Sequence, residues 1–150
     1  MNNLKILCYH GVSGNKSSGI QNSNNKHISY KIFDNQIKKI KNNYNHISMN
    51  EVIMHINEKI KFPKNSIAIT FDDGFKNNHE VAAPILEKYQ IPATFYISTG
   101  YVDQKKMFWV DIIEDCLNRT KKKQISMEID HIKININISN NLYKIKALKY

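Results

Sequence analysis

A chain of 150 residues with 41% hydrophobic content can bury one core of ordinary domain size but not two full domains. It also falls short of the roughly 250 residues of a closed (β/α) barrel. The formal net charge of +9 comes almost wholly from lysine, Arg119 being the single arginine, and asparagine and isoleucine rival lysine in number. Surfaces that grip phosphate favour the planar fork of arginine, and no basic stripe interleaved with aromatics occurs, so no nucleic-acid partner is expected.

Leu4 to Tyr9 is a short apolar run consistent with a buried strand, and it ends in His10-Gly11. The Ser, Gly and Asn content from Ser13 to Asn25 marks a loop. Asp34 is placed to cap a helix whose apolar positions Ile37, Ile40 and Tyr44 keep helical spacing. Ser48 and Glu51 form a capping-box pattern ahead of Val52, Ile53, Ile56 and Ile60, a helix expected to end at Pro63.

Ser66 to Phe71 is rich in β-formers and nearly continuous in apolar character, as expected of a strand covered on both faces. Asp72-Asp73-Gly74 follows it. Val81, Ile85, Leu86 and Tyr89 then form one face of a helix broken at Gln90-Ile91-Pro92, and Ala93 to Ser98 reads as a second buried strand. Strand, helix and strand over this span make a βαβ unit, which forces the two strands parallel.

Trp109, Ile112, Ile113, Cys116 and Leu117 suggest an amphipathic helix, which the run Lys121 to Lys123 leaves for solvent. From Ile125 to Ile138 apolar residues alternate on either side of Asp130-His131, the pattern of a β-hairpin. Leu142, Ile145 and Leu148 begin a last helical stripe running towards Tyr150 without a C-cap. Cys8 and Cys116 are too isolated for a disulfide framework or a zinc signature and are expected to behave as small hydrophobes. With no apolar run of spanning length and no signal-peptide pattern at Met1 to Tyr9, a soluble, cytoplasmic chain is expected. Its oligomeric state is not set by the sequence.

The chemistry is concentrated in Thr70-Phe71-Asp72-Asp73-Gly74. Carboxylates at the carboxyl end of a buried parallel strand sit where α/β folds place their active sites. Adjacent residues there point different ways, so one carboxylate can bind a divalent cation while the other faces the water that the cation polarises. A lone Asp-Asp-Gly would read as a turn or a helix cap. The helix that follows it argues against a hairpin turn, and an uncompensated carboxylate pair is costly beside a buried strand. Among the histidines, His10 is left open between lining the site and packing in the core. His79 reads as an exposed helix residue, and His27, His46, His55 and His131 as loop, helix-face or turn residues. Phe95, Tyr96, Phe108 and Trp109 are left between stacking on sugar rings and packing in the core.

Ile67 to Gly74, Ala83-Pro84-Ile85-Leu86 and Ile91 to Tyr96 together resemble the polysaccharide deacetylase family, also called the NodB-homology family or carbohydrate esterase family four. Leu7 to Val12 is similar to the family's N-terminal Tyr-His segment, and Phe108-Trp109-Val110-Asp111 resembles an aromatic-rich helix start in some members. The resemblance implies an α/β fold: an incomplete, distorted (β/α) barrel, with the hairpin near residues 125–138 as an insertion. It makes residues 1–150 the N-terminal part of one deacetylase domain. The implied activity is metal-dependent removal of acetyl groups from an N-acetylated polysaccharide or glycan. Asp72 takes the role of general base and Asp73 that of a ligand to a divalent metal such as zinc, and His10 is a candidate substrate contact. The family's other two ligands belong to a His-Ser/Thr-x-x-His motif that this sequence lacks, so metal binding is expected to be weak or absent and the chain by itself inactive. The runner-up is a noncatalytic remnant or carbohydrate-binding protein on the same partial fold.

Overall fold

The computed structural model describes residues 3–14, 17–102 and 106–149. They divide into two compact units, Met1–Asn15 with Asn25–Thr99, and Lys16–Asn24 with Gly100–Tyr150.

The first unit is organised around β5 (Ser66–Phe71), whose six residues are all buried. Its side chains alternate. Ile67, Ile69 and Phe71 enter a core with Tyr9, Val12, Phe33, Ile37, Ile40, Ile85 and Leu86, while Ala68 faces the other way, onto Ile47 and Val52. Cover on both faces is why this strand reads as one apolar run and not as an alternation.

Strand β1 (Lys5–Tyr9) pairs parallel with β5 from Lys5↔Ile67 to Tyr9↔Phe71. Against the opposite edge of β5 lie two short parallel strands, β4 (Asn45–His46) at its start and β6 (Thr94–Phe95) at its end. The parallel βαβ pairing expected of β5 and β6 is therefore present, and β1 lies on the other side of β5. The burial of the flanking segments differs from the expectation: Ile6 is 49%, Tyr96 50% and Ile97 55% exposed. Among the described residues β1 and β6 each pair with β5 alone, and apolar sequence by itself does not supply a second neighbour. The described residues contain no closed barrel.

A further parallel pair, β2 (Gly11–Ser13) with β3 (His27–Ser29), flanks the stretch that reads as loop in the sequence. Ser29, not Asp34, caps α1 (Tyr30–Asn43), accepting from the Ile32 amide; Asp34 instead meets Lys88 at 3.0 Å. Helix α2 (Met49–Asn57) starts with the expected capping box and ends well before Pro63. Lys59, at φ 56°, reverses the chain there. After the aspartates a π-helical turn (Asn78–Ala82) runs into α3 (Ala83–Tyr89), closed by left-handed Gln90 and an Ile91 N–H to Leu86 O bond of 3.0 Å.

Helix α4 (Thr99–Val102) stands at the division between the units. The second unit holds α5 (Trp109–Arg119), the antiparallel hairpin β7 (Gln124–Ile129) and β8 (Ile132–Asn137), and α6 (Asn141–Ala147). The hairpin forms as its alternation predicts, and Asp130 and His131 both take positive φ, 49° and 64°, as a two-residue type I′ turn requires. Ile20, Leu117 and Ile138 make its small core. Lys144 is buried and donates to Asn118 O at 3.4 Å and Thr120 O at 3.0 Å, satisfying carbonyls at the end of α5. Helix α6 ends at Ala147, capped by Leu148, whose N–H bonds Lys144 O, so the stripe does not continue to Tyr150, which lies outside the described residues. Among the described residues no helix is long and apolar enough to cross a membrane.

Candidate active site

Strand β5 delivers Asp72 to the carboxyl end of the sheet, where its N–H donates to Tyr9 O at 2.9 Å and extends the β1 ladder by one bond. The chain then reverses. Asp73 and Gly74 both adopt left-handed backbone, at φ 70° and 75°. Asp tolerates this region better than most side chains, but at a cost, and such outliers cluster at functional sites. Asp72 O accepts from Gly74 N at 2.9 Å, and Asp73 O accepts from Ser98 N at 3.5 Å, fixing the loop to the segment after β6.

Asp72 continues the face of β5 that carries Ser66, Ala68 and Thr70. Cys8 is paired with Thr70 on β1, and its thiol lies 3.2 Å from Asp72 Oδ2. Burial first, then the hydrogen bond to Asp72, hold the Cys8 thiol above its ordinary value, against an opposing contact with the Thr70 hydroxyl. Cys8 is nevertheless exposed, as is Cys116, so neither is the buried hydrophobe that the sequence suggests. Tyr9, next along β1, points into the core; burial pushes its phenol up to about 12, and its hydroxyl donates to Gln36 Oε1 at 2.9 Å.

The histidines separate clearly. His10 is half-buried directly after β1, and carrying the β1–β5 register one residue further sets it opposite Asp72. Among the described residues no hydrogen bond joins it to either aspartate. His79 is exposed on the π-helical turn, as expected. His27 is more than a loop residue: it lies on β3, Asn77 Nδ2 approaches its Nδ1 at 2.7 Å, and its ring packs edge-on against Phe75 at 4.7 Å. Gly11 admits it, since a Cβ there would collide with His27 Nδ1. His55 packs on Phe62, His46 is 3.5 Å from Lys41 Nζ, and His131 is exposed in the hairpin turn. Phe95 stacks on Phe71 at 4.8 Å and Tyr96 is exposed, while Phe108 and Trp109 belong to the second unit.

A catalytic zinc takes three protein ligands and keeps one position open. No group of three or more His, Cys, Asp or Glu among the described residues is arranged to hold a metal ion. Asp72 and Asp73 bring two neighbouring carboxylates to the end of β5, and the described residues alone do not fit such a centre.

The model described as Polysaccharide deacetylase matches residues 59–133, half of the chain, and the chain belongs to that family. Poly-beta-1,6-N-acetyl-D-glucosamine N-deacetylase of Staphylococcus aureus strain MSSA476 is 38% identical over 89 residues, 59% of this chain and 31% of that protein. A putative polysaccharide deacetylase, YxkH, of Bacillus subtilis strain 168 is 27% identical over 136 residues, 88% of this chain and 44% of that protein. Among solved structures, IcaB from Ammonifex degensii matches with a TM-score of 0.60 at 23% identity, over 77% of this chain and 48% of that one. A polysaccharide deacetylase from Bacillus cereus matches with a TM-score of 0.53 at 28% identity, over 75% and 34%. The chain thus spans less than half the length of these relatives.

Proposed function

We propose that these residues form the N-terminal part of a carbohydrate N-deacetylase domain that hydrolyses the acetamido groups of an N-acetylated polysaccharide. Asp72 is the general base, and Asp73 is one ligand of a divalent cation such as zinc. The hairpin β7–β8 is an insertion in an incomplete barrel. The observation that carries this reading is the carboxylate pair at the end of β5, split by a left-handed reversal and lying within the segment that matches the family.

Deacetylation adds water to the amide carbonyl, takes a proton from that water and returns one to the departing amine, leaving acetate and a free amino sugar. Asp72 is suited to the first proton transfer, since its carboxylate sits at the open end of the sheet with its backbone held by Tyr9. No residue described here is identified as the acid for the second. General acid–base help is worth roughly 10²–10⁴-fold, so these 150 residues alone are expected to release no measurable acetate from chitooligosaccharides. Metal-dependent turnover by the isolated chain, abolished by Asp72→Asn, would show that it builds a whole site, for instance as an oligomer sharing His10.

Grafting the chain in place of the corresponding segment of the Bacillus subtilis relative, which brings the remainder of its own polypeptide, tests the positive half. The graft is expected to release acetate from an N-acetylated oligosaccharide and to lose that activity on Asp72→Asn. A folded graft with no activity, or one indifferent to Asp72→Asn, overturns the assignment.

A further inference from the structure

We propose that Cys8 is a positioning residue for Asp72: its thiol donates a hydrogen bond to Oδ2, holds the carboxylate in one orientation, and leaves Oδ1 to receive the proton. This rests on the reading of Asp72 as the base, but the contact itself does not. The two residues are 64 apart in sequence and meet at 3.2 Å because β1 and β5 run parallel in fixed register. Cys8 faces Thr70, Asp72 is the next residue on that face, and the Asp72 N–H to Tyr9 O bond fixes both backbones at the point of contact. Neither strand has to move for the side chains to touch.

The direction of the bond follows from the groups. An ionised carboxylate only accepts, so the proton belongs to sulfur. Burial and the neighbouring carboxylate keep the thiol protonated at neutral pH, which preserves it as a donor. Asp72 Oδ1 has no hydrogen-bond partner among the described residues, so the two oxygens are inequivalent. A thiol is a weak donor. It fixes the orientation of the carboxylate while withdrawing less electron density from it than a hydroxyl would, which suits a group that has to accept a proton.

The contact is read directly through the sulfur. In a Cys116→Ser background Cys8 is the remaining thiol, and its alkylation by iodoacetamide, an uncharged reagent, reports how firmly the proton is held. Asp72→Asn is expected to speed alkylation at pH 7.5 by about threefold or more, because the carboxylate that stabilises the S–H is gone. Asp73→Asn is expected to do clearly less, and Asp130→Asn nothing. Far-UV circular dichroism establishes that each variant is folded. If Asp72→Asn does not fold, the infrared S–H stretch of the otherwise unaltered chain decides: Cys8 should absorb at lower frequency than Cys116. Equal rates in the Asp72 variant and its parent, equal acceleration by Asp73→Asn, or an unshifted stretch would overturn the proposal. In the grafted enzyme, Cys8→Ala should lower kcat with KM unchanged, and Cys8→Ser should restore most of it. A graft that is inactive while the thiol behaves as expected would sink the base assignment and leave the contact standing.

Discussion

Gly74→Ala probes the reversal that separates the two aspartates. Gly74 sits at φ 75°, and an added Cβ would lie 2.9 Å from Ile97 Cγ2, 3.3 Å from Cγ1 and 3.4 Å from the Ile97 Cα. Holding an L-residue with a Cβ in the left-handed region costs about 1–2 kcal/mol. The methyl overlap adds about 0.5–1 kcal/mol, since Ile97 can turn aside at the expense of an off-rotamer side chain. The expected loss is therefore about 1.5–3 kcal/mol, a large share of the stability of a small domain. Because the chain has two units, the midpoint of a single urea transition does not isolate this effect. The lone Trp109 lies in the second unit, so the assay is hydrogen exchange of the β5 amides, which belong to the first. The double variant with Ile97→Ala should recover the overlap and none of the backbone cost. A Gly74→Ala penalty under about 0.5 kcal/mol, or full recovery in the double variant, would refute the claim that the left-handed conformation is required.

Phe33 is fully buried and meets Tyr9 and Phe71 edge-on, at 5.2 and 5.8 Å. Phe33→Ala should cost about 3–5 kcal/mol in the same exchange measurement, while leaving the hairpin amides of β7 and β8 unaffected. Ser48→Ala removes the acceptor for the Glu51 N–H, 3.2 Å away, and should cost about 1 kcal/mol. The Ser48 amide, and secondarily its hydroxyl, hold the Glu51 carboxyl below its ordinary value of 4.5, so its contribution is present above that value and fades as pH falls through the lower folded one. The difference in stability between the parent chain and Glu51→Gln should accordingly shrink in acid, and a constant difference from pH 7 to pH 3 would contradict the capping box. Calorimetric titration with zinc or cobalt should give weak binding that Asp73→Ala weakens further. Tight stoichiometric binding that survives Asp73→Ala would place the ligands elsewhere.

Features set by near neighbours in the chain are legible in the sequence. The Ser48–Glu51 box forms and Asp130-His131 makes the hairpin turn, because each depends on contacts within a few residues, while strand β5 matches residue for residue because cover on both faces leaves an unbroken apolar run in its own sequence. What fails depends on partners far away. Leu4 to Tyr9 and Ala93 to Ser98 are apolar enough to be buried, but burial needs a second neighbour that composition does not reveal. Strands β2 and β3 are three residues each and are held by pairing with one another, with little apolar signal of their own. Ser29 outcompetes Asp34 as a helix cap because β3 delivers it in extended conformation directly before Tyr30. At the site, the aspartate pair is visible in the sequence from its position after a buried run. The Cys8 contact is not, since it exists only once the β1–β5 register is known.

The unequal burial of the strands also sets the order in which this region opens. Protection against solvent exchange rises with buried contact, so the margins at β1 and β6 should fray on faster timescales than β5. Asp72 is attached by one peptide bond to Phe71, the fully buried last residue of β5, whereas Asp73 is braced sideways by a 3.5 Å bond to Ser98, beyond a segment that is half exposed. The two carboxylates thus inherit different mobilities from the backbone that carries them. Asp72 rides on the part of the unit that lets go last, and Asp73 on a loop that can adjust while its neighbour stays in place.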